Sequence, residues 1–548
     1  MAFPPRISGR ALRTIVRLSR TGAGARLLYQ VFRSDLRIAQ LEALPDALFG
    51  DMPVDNRPVA GRAPRAGQHA DLPLPAPPWS ATSATLTDAY RAKKTTPREV
   101  VDAALAAARK LAAHRPSVGP LMESVDEVAR READASTERW KRGQPLGPLD
   151  GVPVVIKEEM AIRGLPTRAG TDLSDATPAS EDAACVAKLR AAGAIVLGQT
   201  PMTEYGMSPL GFNPKRTMPR NPHATDRVAG GSSTGSAVAV ATGLVPLAMG
   251  GDGGGSIRIP AALCGVFGIK ATWGRISKRG DLFGGTVAHV GPLASSTLDL
   301  ARCLEATSGR DPGDPQTELA PPTEPGSFVR ALGRGVRGMR IGVVETEWAD
   351  AAPGLSRAGH EALRALEKEG ATLVDVRVEL ARWAAPAGYL AIGMESFASH
   401  RELWAEKKEG FNGDLAISYA TLSEMSATEY THSQRVRSGL RAEIARAFGD
   451  VDLLALPTTA TTAARVTDAE FDGGFLDARA LDACCRFTFL GNLTGLPALT
   501  APVGLDEARL PLALQLVGDA WDEATVLAAA AHLERIGAAR VERPGVTA

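Results

Sequence analysis

Gly230-Gly231-Ser232-Ser233-Thr234-Gly235-Ser236 and Gly253-Gly254-Gly255-Ser256-Ile257-Arg258 lie 24 residues apart from Ser232 to Ser256, and well upstream stands Val154-Val155-Ile156-Lys157. Glycines around a serine let the backbone turn so that several N–H groups point at one spot, where they can hold an oxyanion while the hydroxyl attacks. A lysine closing an apolar run is a candidate for desolvation, which disfavours its charged form and suits it to act as a base. A serine nucleophile, a second serine and a lysine base describe a hydrolase that needs no histidine.

The text around these motifs is α/β. Residues 152–156 form a short β-branched run that predicts a buried strand. A helix is predicted over 182–192, a strand over 194–198 and an apolar helix over 237–244. Beyond a proline-rich loop at 312–325, strands are predicted at 339–344, 371–374, 451–456 and 512–517, and helices at 358–369 and 523–536. Such alternation argues for a sheet covered by helices.

Other glycine motifs fail on inspection. Ser256 stands at the last glycine position of a dinucleotide fingerprint, and no Gly-Lys-Ser/Thr ending completes a phosphate loop. Gly231-Ser232-Ser233-Thr234-Gly235 spells G-x-S-x-G, which would make Ser233 a nucleophile. That elbow needs a strand immediately before it, whereas residues 221–229 read as a proline-containing turn. Pro260 suits the first turn of a helix, which sets Ser256 just ahead of a helix N-terminus.

Composition narrows the remaining classes. Lys+Arg and Asp+Glu both total 62, so no global field draws the chain to nucleic acid. The cysteines (Cys185, Cys264, Cys303, Cys484, Cys485) show neither ligand spacing nor a disulfide pattern, and the histidines include no His-x-x-x-His pair. No metal and no cofactor are expected. The longest apolar stretch, 237–249, is too short and glycine-interrupted to span a bilayer, so a cytoplasmic enzyme is expected.

The first 34 residues carry seven arginines and no acid. Arg6, Arg10, Arg13, Arg17 and Arg20 share roughly 80° of a helical wheel at about 100° per residue, opposite Ile7, Ala11, Leu12, Ile15 and Leu18. Residues 1–52 therefore read as a basic amphipathic helical extension. It would touch a membrane periphery, mediate homodimerisation or pack on its own domain. Seven prolines within residues 53–78 mark a connector over 53–79. The main domain is expected over 80–540, with a tail at 541–548.

The Pro148-Leu149-Asp150-Gly151-Val152-Pro153…Lys157 segment and the two glycine–serine motifs resemble the amidase signature family. So do Gly265-Val266-Phe267-Gly268-Ile269-Lys270 and Asn492-Leu493-Thr494-Gly495-Leu496-Pro497. The resemblance spans about residues 80–540 and implies a single large α/β/α domain around a mixed sheet. It implies a Ser-Ser-Lys triad: Ser256 as nucleophile, Ser232 bridging on a cis peptide, Lys157 as base. Backbone N–H groups of Gly253, Gly254, Gly255 and Ser256 would form the oxyanion hole, with Ser233, Asp252 and Arg258 supporting. Gly251 stands where Ser or Thr is common, Gly253 replaces a larger residue and Glu158 replaces the frequent Asp; the extra glycine is expected to loosen the loop or widen the space beside it.

The implied activity is amide hydrolysis through an acyl-enzyme, releasing acid plus amine or ammonia and rising on the alkaline side of neutrality. Tyr205, Met207 and the segment 383–432 are candidates for the substrate pocket. The alternatives are an ester or carbamate hydrolase on the same triad, a glutaminase subunit of a tRNA-dependent amidotransferase, and an inactive scaffold.

Overall fold

Val154, Val155 and Ile156 are buried whichever way they point, because helices cover both faces of their strand. The computed structural model describes residues 6–45, 48, 74 and 79–548. Its strands are β1 (Arg6–Ser8), β2 (Glu123–Ser124), β3 (Pro153–Lys157), β4 (Ile195–Thr200), β5 (Leu247–Asp252), β6 (Phe267–Lys270), β7 (His289–Ala294), β8 (Arg340–Val343), β9 (Thr372–Asp375), β10 (Leu453–Pro457), β11 (Phe475–Asp477), β12 (Ala498–Leu505) and β13 (Pro511–Gly518). Eleven of them form one sheet in the order β2-β4-β3-β5-β7-β6-β12-β13-β10-β8-β9. Pairing is parallel for β3 with β4 and β5 and for β8 with β9 and β10, and antiparallel elsewhere. The expected helix-flanked mixed α/β sheet is what forms.

The predicted strands all lie in this sheet within a few residues. Its middle strands β5, β6, β7 and β12 leave no such mark in the sequence. They carry glycine or proline (Gly250, Gly251, Gly268, Gly291, Pro292, Pro502), which erase a strand's period from the text. Close approach explains some of these positions: a Cβ at Gly291 would overlap the Ile269 carbonyl oxygen of the neighbouring strand. The single apolar stretch 237–249 divides into the helix Thr234–Ala241, a turn at Gly243 (φ 75°) and the start of β5.

The N-terminal segment corrects the wheel reading. Arg6 lies on β1, paired antiparallel with β11, and its guanidinium binds Asp477 (2.8 Å). Helices then run Gly9–Ser19 and Gly22–Asp35. Arg10, Arg13 and Arg17 face outward while Leu12 is buried and Val16 packs beside Gly413, so the chain's own main domain covers part of the apolar side of this helix and leaves Ala11 and Leu18 exposed. Apart from Leu74 and Trp79, the connector expected at 53–79 falls outside the described residues.

Candidate active site

Lys157 ends β3, Asp252 ends the adjacent parallel strand β5, and the helix Thr234–Ala241 crosses beside both. This topology brings three distant sequence motifs to the C-terminal ends of neighbouring strands, where open α/β sheets place their sites. Lys157 Nζ donates to Ser232 Oγ (2.8 Å) and reaches the Gly251 carbonyl (3.4 Å). Ser233 Oγ donates to that same carbonyl (3.1 Å), and the Ser233 N–H donates to the Ser256 carbonyl (3.2 Å). The Gly231–Ser232 peptide is cis. Lys157, Ser232 and Ser256 are all buried and all face one cavity. Ser233 instead starts a helix without a preceding strand, which is why G-x-S-x-G is not an elbow here.

The loop that carries Ser256 is tied by one carboxylate. Asp252 accepts from Gly255 N–H (2.7 Å), Ile257 N–H (3.2 Å), Asn492 Nδ2 (2.8 Å) and both Arg258 Nε (3.0 Å) and Nη2 (2.9 Å). Burial pushes the Asp252 carboxyl up, but the Arg258 guanidinium and these donors outweigh it and hold the group far below the usual carboxylate range. Arg258 spends its other donors on Gln515 Oε1 (2.6 Å), Asn492 Oδ1 (2.6 Å) and the Thr488 carbonyl (2.8 Å). Nothing in the sequence marks Gln515 or Asn492 individually as supporting residues, although both the Asn492 segment and residues 512–518 share in the family resemblance.

Two expectations about the loop need correction. The Gly255 N–H is already engaged by Asp252 at 2.7 Å, so it is committed to holding the turn rather than free for an oxyanion. The extra glycine does not widen the space beside it either. A Cβ at Gly253 would stand 2.7 Å from Ile392 Cδ1, because the helix Ala384–Lys407 closes on the loop there. At Gly251 the room is filled by the Glu159 carboxylate.

Two cavities meet at Ser256 and share Gly206, Met207 and Ile392. One is of mixed lining and holds the ionisable groups, Lys157, Glu159, Asp281, His289, Glu395 and His400, with Tyr205, among apolar residues such as Phe283 and Val287. Burial, with Lys270 nearby, pushes the His289 imidazole well below its ordinary range. The other is apolar, lined by Phe32, Leu36, Ile259, Tyr389, Ile417, Leu422, Met425, Leu476 and Phe489. Tyr205, held at φ 47° with its ring 4.0 Å from His400, lies in the mixed cavity, and Met207 sits at the junction. The segment 383–432 contributes Tyr389, Ile392, Ile417, Leu422 and Met425 to the apolar wall. Phe32 and Leu36 are additions that sequence reasoning does not reach: they come from the end of the N-terminal helical segment, and nothing in their local text points to a pocket.

Comparison with known proteins converges on one family. The family model named Amidase matches residues 102–527. A fatty acid amide hydrolase of Medicago truncatula is 34% identical over 490 residues, covering 86% of this chain and 80% of the relative. A glutamyl-tRNA(Gln) amidotransferase subunit of Chloroflexus aggregans is 33% identical over 481 residues, covering 83% and 96%. The native peptide amidase of Stenotrophomonas maltophilia superposes with a TM-score of 0.73 at 27% identity, covering 85% of this chain and 99% of that one.

Proposed function

The chain belongs to the amidase signature family and is an amide-hydrolysing enzyme, and from that premise we propose that it cleaves amides of apolar carboxylic acids through a Ser256 acyl-enzyme. The observation that carries this reading is the apolar cavity ending at Ser256, beside the Lys157–Ser232 hydrogen bond. In the proposed mechanism, Lys157 as the free amine takes the proton of Ser232 while Ser232 takes that of Ser256. Ser256 Oγ attacks the carbonyl carbon, and the N–H groups of Gly253, Gly254 and Ser256 receive the oxyanion. The protons return along the same relay to the departing nitrogen, and water then releases the acid. Buried polar side chains on the other cavity suit an amine or ammonia leaving group.

A glutaminase role on the same fold would need charged groups recognising the amino and carboxylate ends of glutamine. The largely hydrocarbon lining of the acyl-side cavity favours an apolar acyl group instead. Ester or carbamate cleavage uses the same acyl-enzyme and stays within the proposed chemistry.

An activity screen over primary amides and p-nitroanilides of straight-chain acids, with Ser256→Ala as blank and glutamine included, tests the reading. Turnover that rises with acyl length, is absent in the blank and is negligible on glutamine is expected. Preference for glutamine, or full activity of Ser256→Ala, would overturn it.

A further inference from the structure

Glu159 stands two residues beyond the lysine, and its role is not assigned by the relay. Its carboxylate Oε2 lies 2.9 Å from Lys157 Nζ, and both side chains are about 1% exposed. The space it occupies exists because residue 251 is glycine: a Cβ there would overlap Glu159 Oε1 outright and stand 2.9 Å from its Cδ. Gly251 has an ordinary φ, so conformation does not demand glycine at this position; volume does. The residue flanking the loop aspartate has no side chain, and a carboxylate from just beyond the end of β3 fills the room against the lysine.

We propose that Glu159 is a positioning residue for the amide-hydrolysing site, orienting Lys157 toward Ser232 and stabilising the ammonium formed when Lys157 takes the Ser232 proton. The proposal rests on the relay reading of Lys157. The step balances: Ser256 Oγ bonds the carbonyl carbon as the C=O π pair moves to oxygen, its proton passes to Ser232, Ser232 passes its own proton to Lys157, and the ammonium forms beside Glu159. A buried ammonium is costly unless a charge partner is already in place. Glu159 would thus do for lysine what an orienting carboxylate does for a catalytic imidazole.

Of the two acidic groups crowded here, Glu159 is the one in contact with Lys157. Asp281, half-buried in the cavity wall, is pushed well above the carboxylate range by desolvation and by Glu159, and its Oδ1 accepts from Phe283 N–H (2.8 Å). Burial pushes the Glu159 carboxyl above its ordinary range too, and Lys157 offsets only part of that rise. Two carboxyls crowded together cannot both ionise readily, and the lysine sits on Glu159. The other charges facing the cluster are Asp252, on the Glu159 side, and Lys278, on the Asp281 side.

The test is the pH profile of kcat/KM on decanoyl p-nitroanilide for the full chain, Glu159→Gln and Lys157→Ala. Glu159→Gln removes the only carboxylate within ion-pair distance of Lys157 Nζ among the described residues while keeping the side chain's size. Glu159→Gln should therefore move the alkaline rise to lower pH by at least one unit and lower the plateau kcat at least tenfold, with KM nearly constant. A fall of equal size at every pH, or an unmoved rise, would overturn the proposal. If Lys157→Ala keeps its turnover, the relay itself fails; if Lys157→Ala is inactive while Glu159→Gln keeps the parental profile, only the role of Glu159 fails. Should Glu159→Gln not fold, the pair Glu159→Ala with Gly251→Ser refills the space without charge and must show the same shift. Gly251→Ser alone should be inactive or insoluble, and parental activity in that single variant would refute the volume relation.

Discussion

Arg258 Nη2 lies 2.9 Å from Asp252 Oδ1, and neither side chain has any exposed surface. The pair lies between the loop carrying Ser256 and the strands β12 and β13 behind it, with Gln515, Asn492 and the Thr488 carbonyl satisfying the guanidinium's remaining donors. A buried pair of this kind contributes little by existing and a great deal by not being broken.

Arg258→Met should therefore destabilise the protein by about 3–5 kcal/mol, because it leaves the Asp252 carboxylate buried without a counter-charge. Urea unfolding measures this directly. The double variant Arg258→Met with Asp252→Asn should recover part of the stability but not the turnover, since the loop would lack its carboxylate tie to Gly255 N–H.

Chain-length selectivity should respond to the N-terminal segment. Phe32 and Leu36 line the apolar cavity although they precede the matched family region. Losing the apolar contact of one such side chain costs about 1–3 kcal/mol. Leu36→Ala should accordingly lower kcat/KM for dodecanoyl amides at least fivefold and leave butanoyl amides nearly unchanged. Equal loss on both would show that Leu36 acts on the fold rather than on the acyl chain.

Ser256 should be the residue labelled by a fluorophosphonate probe. Peptide mapping of the labelled chain checks this, and Ser233→Ala should keep labelling because Ser233 only supports the Gly251 carbonyl. Adduct on Ser233 would restore the G-x-S-x-G assignment.

Glu534 provides a pH signature in stability. Burial pushes its carboxyl from an ordinary value of 4.5 up to about 7, against donation from Thr297 N–H (3.1 Å). The folded state thus holds a proton that the unfolded state has already released between pH 4.5 and 7, so stability falls as pH rises through that window. Glu534→Gln, which keeps an acceptor for Thr297, should match the parent's Tm near pH 4.5 and exceed it by a constant margin above pH 7. A difference that does not vary with pH would contradict this.

Legibility in the sequence follows the range of the forces involved. The outer strands β3, β4, β8, β9, β10 and β13 are readable because runs such as Val154-Val155-Ile156 advertise burial locally. The central strands are not, because Gly250, Gly251 and Gly291 stand there for close packing, and that need is visible only once the neighbouring chain is in place. The basic wheel from Arg6 to Arg20 reads as one helix, yet its first turn is strand, because β1 forms by pairing with β11, some 470 residues away.

The sequence by itself singled out the chemical groups of the candidate site. Ser232, Ser256 and Lys157, with Asp252 and Arg258 behind them, sit in short motifs whose glycines and spacing are local requirements of turns and loop ties. Only the tertiary structure decided what surrounds them. Glu159 reaches Lys157 because Gly251 has no side chain, Ile392 occupies the room at Gly253, and Phe32, Leu422 and Phe489 from separate segments make one apolar wall. Those relations are exchanges of volume between residues far apart in the chain, and close packing settles them after the fold has formed.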